Sequence, residues 1–290
     1  DLTFSPELEA LAVKSNATCR QVMDRLTRQY DGYRFTKDEE FTSMYNPFSV
    51  LSALQKRSYG NYWFASGTPT FLVEMLQKTD FDLREMEGIE VNEASLSDDR
   101  ADINNPIPMI YQSGYLTIKD YDERFRMYTL GFPNEEVKYG FLNFVSPFYT
   151  PIAQTDTSFY IGKFIRELES GDVDAFLTRL RCFFAGIPYD LNDRTERHYQ
   201  TVFYLVFQLM GQFTETEVRS ARGRADAVVK TPDYIYVFEF KLNDSAEAAL
   251  RQIDEKGYLL PYQADGRKVV KVGVAFEKEE RNIGEWVIGE

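Results

Sequence analysis

Hydrophobic positions recur every three to four residues over much of residues 5–75, and this spacing predicts mostly helical structure. The stretches PELEALAVKS and ATCRQVMDRLTRQY show it most clearly. Asn46 and Pro47 are typical N-cap and first-turn residues of a further helix, and Gly60 is a candidate for its end. YDGYRF reads as a turn built on Gly32, and SGTPTFLVEML predicts another helix.

The pattern changes between residues 90 and 150. IPMIYQSGYLTI predicts a short helix, a glycine break and a strand, RFRMYTLGFPN a second strand, and EEVKYGFLNFVSPF a helix. This order resembles a winged-helix arrangement. Such modules bind DNA in some proteins and pack between domains in others, and the acidic balance of this region favours packing.

The C-terminal half predicts an α/β unit. Two amphipathic helices separated by Gly171 come first, and a helix over RTERHYQTVFYLVFQLMG begins the αβββαβ order. FTETEVRS, RADAVVK and YIYVFEFK are predicted strands, and KVVKVGVAF is a fourth. The helix SAEAALRQIDEKG, with Ser245 as N-cap and Gly257 as its stop, joins two strands that we expect to be parallel.

Three charged residues interrupt the apolar hairpin GRADAVVKTPDYIYVFEFK. Because side chains alternate along a strand, Glu239 and Lys241 share one face, about 7 Å apart. A four-residue loop pairs Lys230 with Ile235 and brings Asp226 opposite Glu239, with Cβ atoms about 5 Å apart. A three-residue loop would instead move Asp226 to the other face.

Two carboxylates this close repel each other unless a proton or a cation lies between them. Oxygen ligands at about 2.1 Å suit Mg²⁺, with Mn²⁺ as a substitute, and the Phe240 carbonyl is a candidate further ligand. A lysine such as Lys241 beside the ion can orient a water and stabilise charge on a phosphate, which points to phosphodiester hydrolysis. The alternative is a surface hairpin with a solvated salt bridge.

Composition narrows the class of protein. The net charge of −13 argues against a surface that coats nucleic acid broadly, although the acidic excess is smaller over residues 191–290. Cys19 and Cys182 form neither a zinc motif nor a disulfide framework, and we expect two buried thiols in a reducing cytoplasm. We expect no membrane association, and the abrupt start without Met suggests a fragment or a processed chain. The sequence says nothing firm about oligomeric state.

GRAD followed by EFK within αβββαβ resembles the PD-(D/E)XK nuclease superfamily. The wider stretches HYQTVFYLVF, SAEAALRQIDEKGYLLPY and KVGVAFEKEERNIGEW are similar to the nuclease-like domain that follows an AAA-ATPase-like domain in many bacterial proteins. YDGYRF, YNPFSVL and YWFASGTPTFL resemble the C-terminal end of that ATPase-like domain. Together these resemblances cover most of the chain.

The resemblance implies roles for individual residues. Asp226 and Glu239 would be metal ligands, and Lys241 the catalytic lysine. Glu196 matches the acidic residue of the first helix that often completes the site, although a first-turn glutamate is also favoured by the helix dipole alone. Gln252 matches a polar position that can face the site, or it lies on a solvated helix face. Ala225 stands where the family's name has Pro, which leaves the carboxylate in place.

Candidate nucleic-acid contacts are Gln252, His198, Arg222 and Arg224, with Arg219 in the same cluster. The arginines could instead be solvated residues that offset nearby acids. His198, the only histidine, could be a general base or a DNA contact, but a lone histidine among aromatic residues is more often structural. The resemblance implies a minor accessory role for it.

The ATPase resemblance carries one clear departure. No GxxxxGK[ST] motif occurs, so we expect no ATP site in this chain and a missing N-terminal ATPase portion. The predicted domains are 1–80, the helical end of an ATPase-like domain; 81–170, a winged-helix-like region; and 171–290, the nuclease-like domain. The predicted function is a metal-dependent DNA endonuclease, and the alternative is a non-catalytic binding or regulatory module.

Overall fold

The computed structural model divides the chain into two compact units, Asp1–Phe141 and Leu142–Glu290. Within its described residues, no helix is long and apolar enough to cross a membrane. The structure describes residues 4–38, 40, 42–65, 72, 75–76, 81–96, 105–150, 153, 156–187, 196–218, 225–242, 244–277 and 282–289. For residues 196 and 197 it describes the backbone but not the side chains.

The first unit opens with helices α1 (Ser5–Lys14), α2 (Cys19–Tyr30), α3 (Pro47–Lys56) and α4 (Tyr62–Ala65). Their apolar faces meet in one cluster, because the three-to-four spacing puts these side chains on one side of each helix. The fully buried members include Leu11, Tyr30 and Ala53. This unit therefore has its own hydrophobic core.

The predicted start of α3 is confirmed, but its predicted end is wrong. Asn46 Oδ1 accepts a hydrogen bond from the Ser49 amide at 3.2 Å, as an N-cap does. The helix ends at Lys56 because Arg57 takes the left-handed conformation, with φ of 52°, before Gly60 is reached. Gly60 instead bonds through its backbone to the Tyr30 hydroxyl. Most of the predicted helix in SGTPTFLVEML lies outside the described residues.

A small antiparallel sheet follows, with strands β1 (Ile89–Asn92), β2 (Thr117–Asp122) and β3 (Met127–Gly131) in the order β1-β3-β2. Helices α5 (Glu93–Leu96) and α6 (Ile107–Gln112) lie between β1 and β2 in the chain. Helix α7 (Glu135–Val145) follows β3 and contains the boundary between the two units. The order of α6, β2, β3 and α7 matches the sequence pattern. The winged-helix interpretation itself stays a prediction.

The second unit contains helices α8 (Thr157–Glu169), α9 (Val173–Ala185) and α10 (Glu196–Met210). Strands β4 (Glu215–Val218), β5 (Ala227–Lys230) and β6 (Tyr234–Lys241) come next, then α11 (Ala246–Glu255) and β7 (Lys268–Glu277). The predicted αβββαβ order is present. A further strand, β8 (Asn282–Gly289), pairs antiparallel with β7 and was not predicted.

The five strands form one mixed sheet in the order β4-β5-β6-β7-β8. Only β6 and β7 run parallel, as the helical crossover between them requires. Helices cover both faces, which explains why β6 is apolar on both sides before its last residues. This arrangement makes β6 the central strand of a mixed α/β layer structure.

Each face of β6 has its own packing partners. On the aromatic face, Phe238 meets Phe176 of α9 and Phe207 of α10 with ring centroids 5.7 and 5.3 Å apart. On the other face, Ile235 and Val237 pack with Ile253 of α11. Glu239 and Lys241 lie on this second face, where α11 covers the sheet.

The prediction of two buried thiols is wrong, because Cys19 and Cys182 are both exposed. Cys19 is the first residue of α2, directly after its N-cap, where a side chain points outward. Cys182 lies on the outer side of α9, while the following Phe183 and Phe184 turn toward the core. The position of Cys182 on the helix, and not its residue type, therefore leaves it exposed while Phe183 and Phe184 are buried.

Candidate active site

The β5–β6 hairpin brings Asp226 next to the end of β6. Lys230 pairs with Ile235 and Val228 with Val237, which is the register of the four-residue loop. Asp226 directly precedes β5, and its Oδ2 accepts a hydrogen bond from the Phe240 amide at 2.9 Å. The alternative register with a three-residue loop is therefore wrong.

Glu239 is the most unusual side chain of the site, because it is charged by type and only 3% exposed. Its Oε1 accepts hydrogen bonds from Lys241 Nζ at 3.5 Å and from Gln252 Nε2. Its Oε2 is buried and has no hydrogen-bond partner among the described residues. A buried carboxylate oxygen without a partner is costly in free energy, so this oxygen is suited to a ligand.

Burial shifts the protonation of both carboxyl groups. Desolvation and, second, the charge of Asp226 raise the pKa of Glu239 to about 7, against the opposing effect of Lys241. Desolvation also raises the pKa of Asp226, against the Phe240 amide and Lys241, which lower it. Near neutral pH the pair thus holds a proton part of the time, and a cation could take the place of that proton.

The donor set suits a divalent cation but is incomplete within the described residues, where no group of three or more His, Cys, Asp or Glu side chains could hold a metal ion. Asp226 and Glu239 supply two carboxylates. In an extended strand the amide and carbonyl of one residue face the same neighbour, so the Phe240 carbonyl faces the Asp226 side. Hard oxygen ligands of this kind are what Mg²⁺ takes, with water completing its shell.

Lys241 and Gln252 complete a hydrogen-bonded network around Glu239. Lys241 Nζ donates to Gln252 Oε1 as well as to Glu239 Oε1. Gln252 extends from α11, and its Nε2 lies 3.5 Å from the Tyr258 hydroxyl. The side chain that the sequence offered as either site-facing or solvated therefore lies in the site.

Gly273 explains how α11 comes so close to the sheet. It pairs with Glu239 across β6 and β7. A Cβ added at Gly273 would lie 2.2 Å from the Ala246 carbonyl oxygen and 2.8 Å from the Leu250 amide nitrogen. Only glycine permits this approach of helix backbone to strand backbone. Sequence reasoning missed Gly273 and Tyr258, although an isolated glycine inside an apolar strand is a known signal of close contact.

The remaining predicted residues are only partly described. Glu196 is the first residue of α10, but its side chain is outside the description. Arg219, Arg222 and Arg224 lie outside the described residues. His198 is buried on α10, with its ring 5.9 Å from that of Tyr199. Its role toward nucleic acid stays a prediction.

Comparison with known proteins identifies this part of the chain. Residues 194–286 match the family model described as the PD-(D/E)XK nuclease superfamily. The match extends from two residues before α10 into β8 and includes Asp226, Glu239 and Lys241. The chain therefore contains a PD-(D/E)XK nuclease superfamily domain, and that superfamily generally comprises metal-dependent nucleases.

A longer relative aligns with nearly the whole sequence. It is an uncharacterized protein in the vnfD 5′ region of Azotobacter chroococcum mcd 1, 31% identical over 297 residues. The alignment covers 99% of this chain and 55% of the relative, so the chain spans about half the length of the curated relative that it matches. No solved structure matches the chain.

Proposed function

We propose that this chain is a Mg²⁺-dependent nuclease that hydrolyses phosphodiester bonds in DNA. The observation that supports this most is the buried Glu239 Oε2 beside Asp226, which has no hydrogen-bond partner in the part of the chain that the structure describes. Lys241 is hydrogen-bonded to the same carboxyl group. A structural salt bridge would need only one carboxylate for the lysine. A second, half-buried carboxylate that raises the pKa of the first is unfavourable by itself and is typical of a functional site.

Each residue of this site has a distinct proposed task. Asp226, Glu239 and the Phe240 carbonyl would hold the ion, which supplies Lewis acidity to the scissile phosphate. Lys241 Nζ would orient the attacking water and stabilise the negative charge that develops on the phosphate oxygens. Glu196 is proposed as a further acidic group from α10. The hydrogen bond from the Phe240 amide keeps Asp226 directed toward the end of β6.

DNA is the proposed substrate, with Arg222, Arg224, Gln252 and His198 as proposed contacts. Arginine in the segment before β5 would meet backbone phosphates close to the carboxylates. Because the whole chain carries a net charge of −13, DNA would bind at such a local basic segment more favourably than elsewhere on the surface.

We further propose that the chain is the effector part of a larger ATPase-linked protein of the bacterial cytoplasm. The proposed domains are residues 1–80, the end of an ATPase-like domain, 81–170, a winged-helix-like region, and 171–290, the nuclease. The greater length of the Azotobacter relative supports additional domains in proteins of this kind.

The test is cleavage of plasmid and linear DNA by the purified chain with Mg²⁺ or Mn²⁺. We expect cleavage that requires the cation and falls at least about 100-fold in Asp226→Asn and Lys241→Met, since each removes a group proposed to act on the ion or phosphate. Exposed Asp233 and Lys256 provide matched controls, Asp233→Asn and Lys256→Met, which we expect to be fully active. Absence of both cleavage and cation binding in calorimetry would refute the proposal.

The acidic net charge, and a ligand set that is incomplete among the residues the structure describes, favour one alternative, a binding or regulatory module without catalysis. That alternative predicts salt-dependent DNA binding that persists in Glu239→Ala, with no cleavage under any cation. The same preparations distinguish the two functions.

A further inference from the structure

The orientation of the Gln252 carboxamide is determined by its neighbours. A lysine ammonium can only donate, so the group facing Lys241 Nζ must be the carbonyl oxygen Oε1. The amide nitrogen Nε2 then faces Glu239 Oε1, which can accept. The remaining N–H lies toward the Tyr258 hydroxyl, 3.5 Å away. If the amide were flipped, its nitrogen would face the Lys241 ammonium, donor against donor, and its oxygen would face Glu239 Oε1, acceptor against acceptor.

The two oxygens of Glu239 consequently lie in different surroundings. Oε1 receives donors from both Lys241 and Gln252. Oε2 receives none within the described part of the chain, although it is buried next to the charge of Asp226. Hydrogen bonds thus occupy one oxygen and leave the other for a cation.

Helix α11 lies unusually close to strand β7. Gly273 lets the backbone of α11 approach β7 at the residue that pairs with Glu239. Ser245 caps the helix through Ala248, and Ala249 and Ile253 bury its inner face. With the helix held at this distance, the side chain of Gln252 reaches both Glu239 and Lys241.

We propose that Gln252 is a positioning residue that gives the two oxygens of Glu239 separate tasks. It holds Oε1 together with Lys241 and thereby keeps Oε2 directed at the ion beside Asp226. Without it, the ammonium of Lys241 would pair with either oxygen of Glu239 and compete with the cation. The task of Oε2 rests on the proposed metal-dependent function, whereas the hydrogen-bond arrangement does not. This role differs from the nucleic-acid contact predicted for Gln252 from the sequence.

The first test needs neither cleavage nor a loaded enzyme. In ¹⁵N-labelled metal-free full chain, we expect the Gln252 side-chain amide protons to exchange with water more slowly than those of exposed Gln263. The side-chain amide signal that disappears in Gln252→Glu is thereby assigned to Gln252. Mg²⁺ should leave the protection intact, because the ion takes the other oxygen. Exchange as fast as that of Gln263, or loss of protection when Mg²⁺ binds, would overturn the proposal.

The second test separates positioning from general stability. Gln252→Leu removes both hydrogen bonds, and we expect Mn²⁺ affinity in calorimetry to fall about tenfold or more. Gln252→Glu keeps an acceptor for Lys241 but adds a carboxylate, so Mn²⁺ should bind at least as tightly while kcat falls and KM changes little. Gln263→Leu and Gln263→Glu are the matched controls, expected to equal the wild type.

The outcomes are distinguishable. Mn²⁺ affinity within twofold of wild type in Gln252→Leu contradicts the positioning role, while cleavage by the wild type would leave the proposed function standing. A protected Gln252 amide in a wild-type chain that neither binds Mn²⁺ nor cleaves DNA contradicts the proposed function and the task of Oε2, and leaves only the hydrogen-bond arrangement. Circular dichroism of each variant checks that the fold is retained.

Discussion

At the scale of single residues, Glu239 shows how burial converts an ordinary carboxyl group into a sensitive one. Its pKa of about 7, against an ordinary value of 4.5, arises first from desolvation and second from Asp226. A proton or a cation relieves both effects. Its chemistry therefore depends on its neighbours and not on its residue type.

This shift predicts how stability depends on pH without metal. Because the folded-state pKa is raised, Glu239 stabilises the fold fully below pH 4.5 and this stabilisation is lost as the pH rises through 7. We expect its loss to lower the free energy of unfolding of the second unit by up to about 3 kcal/mol. The pKa of Asp226 is raised as well, and because the charge of Asp226 acts on Glu239, the two carboxyl groups titrate as a coupled pair.

Hydrogen exchange of the β6 amides between pH 5 and pH 8 measures this free energy locally, after correction for the pH dependence of intrinsic exchange. Glu239→Gln should remove most of the fall, and Glu255→Gln, an exposed change on α11, should leave it as in the wild type. Saturating Mg²⁺ should also flatten the wild-type profile, because a cation that binds the ionised carboxylates stabilises the folded state more at pH 8 than at pH 5. Parallel profiles for wild type and Glu239→Gln would contradict the assignment of the pKa shift.

At the scale of elements, the distance between α11 and β7 determines whether Gln252 and Glu239 meet. Gly273→Ala should destabilise the second unit by about 1–3 kcal/mol, because the added methyl group would lie against helix backbone, which must move. The displacement should also weaken Mn²⁺ binding and remove the protection of the Gln252 amide. Urea unfolding, calorimetry and the amide signal measure the three effects.

Gly266→Ala is the matched control, because a Cβ there meets no atom within 4 Å. We expect it to change stability by less than about 0.5 kcal/mol and to leave cation binding unchanged. A Gly273→Ala chain as stable and as active as Gly266→Ala would show that the close approach of α11 is not required.

At the scale of the whole molecule, charge limits how nucleic acid can bind. With a net charge of −13, a polyanion should meet only a few phosphate-binding groups, and binding should depend only modestly on salt. We expect the double variant Arg222→Gln and Arg224→Gln to reduce the slope of log affinity against log salt by up to about 1.8, about 0.9 for each lost contact. Fluorescence anisotropy of a labelled DNA duplex in metal-free buffer measures this slope.

Arg251→Gln, an exposed change on α11 that removes one positive charge, is the control and should leave the slope as in the wild type. If the double variant has the wild-type slope, the segment before β5 does not contact DNA phosphates. If Arg251→Gln lowers the slope by about half as much as the double variant does, the slope responds to net charge alone.

Local patterns were sufficient for most elements of the second unit. Period-two and period-3.6 spacing predicted α8 to α11 and β4 to β7, and the alternation along β6 assigned Glu239 and Lys241 to one face. β8 was missed because NIGEWVIG mixes glycine and polar residues and shows no alternation typical of a strand. It is a strand because it pairs with β7. The exposure of both cysteines also depended on which helix face meets the core.

The sequence alone determined the strand pattern of the hairpin and the candidate set Asp226, Glu239 and Lys241, since these follow from spacing within a short stretch. It left open the hairpin register and the direction of Gln252. Only the tertiary structure decided those, because they depend on contacts between distant segments: the Phe240 amide on Asp226, and α11 against Gly273. The tertiary structure likewise decided the buried oxygen of Glu239 that lacks a hydrogen-bond partner among the described residues, since burial is a property of the assembled fold.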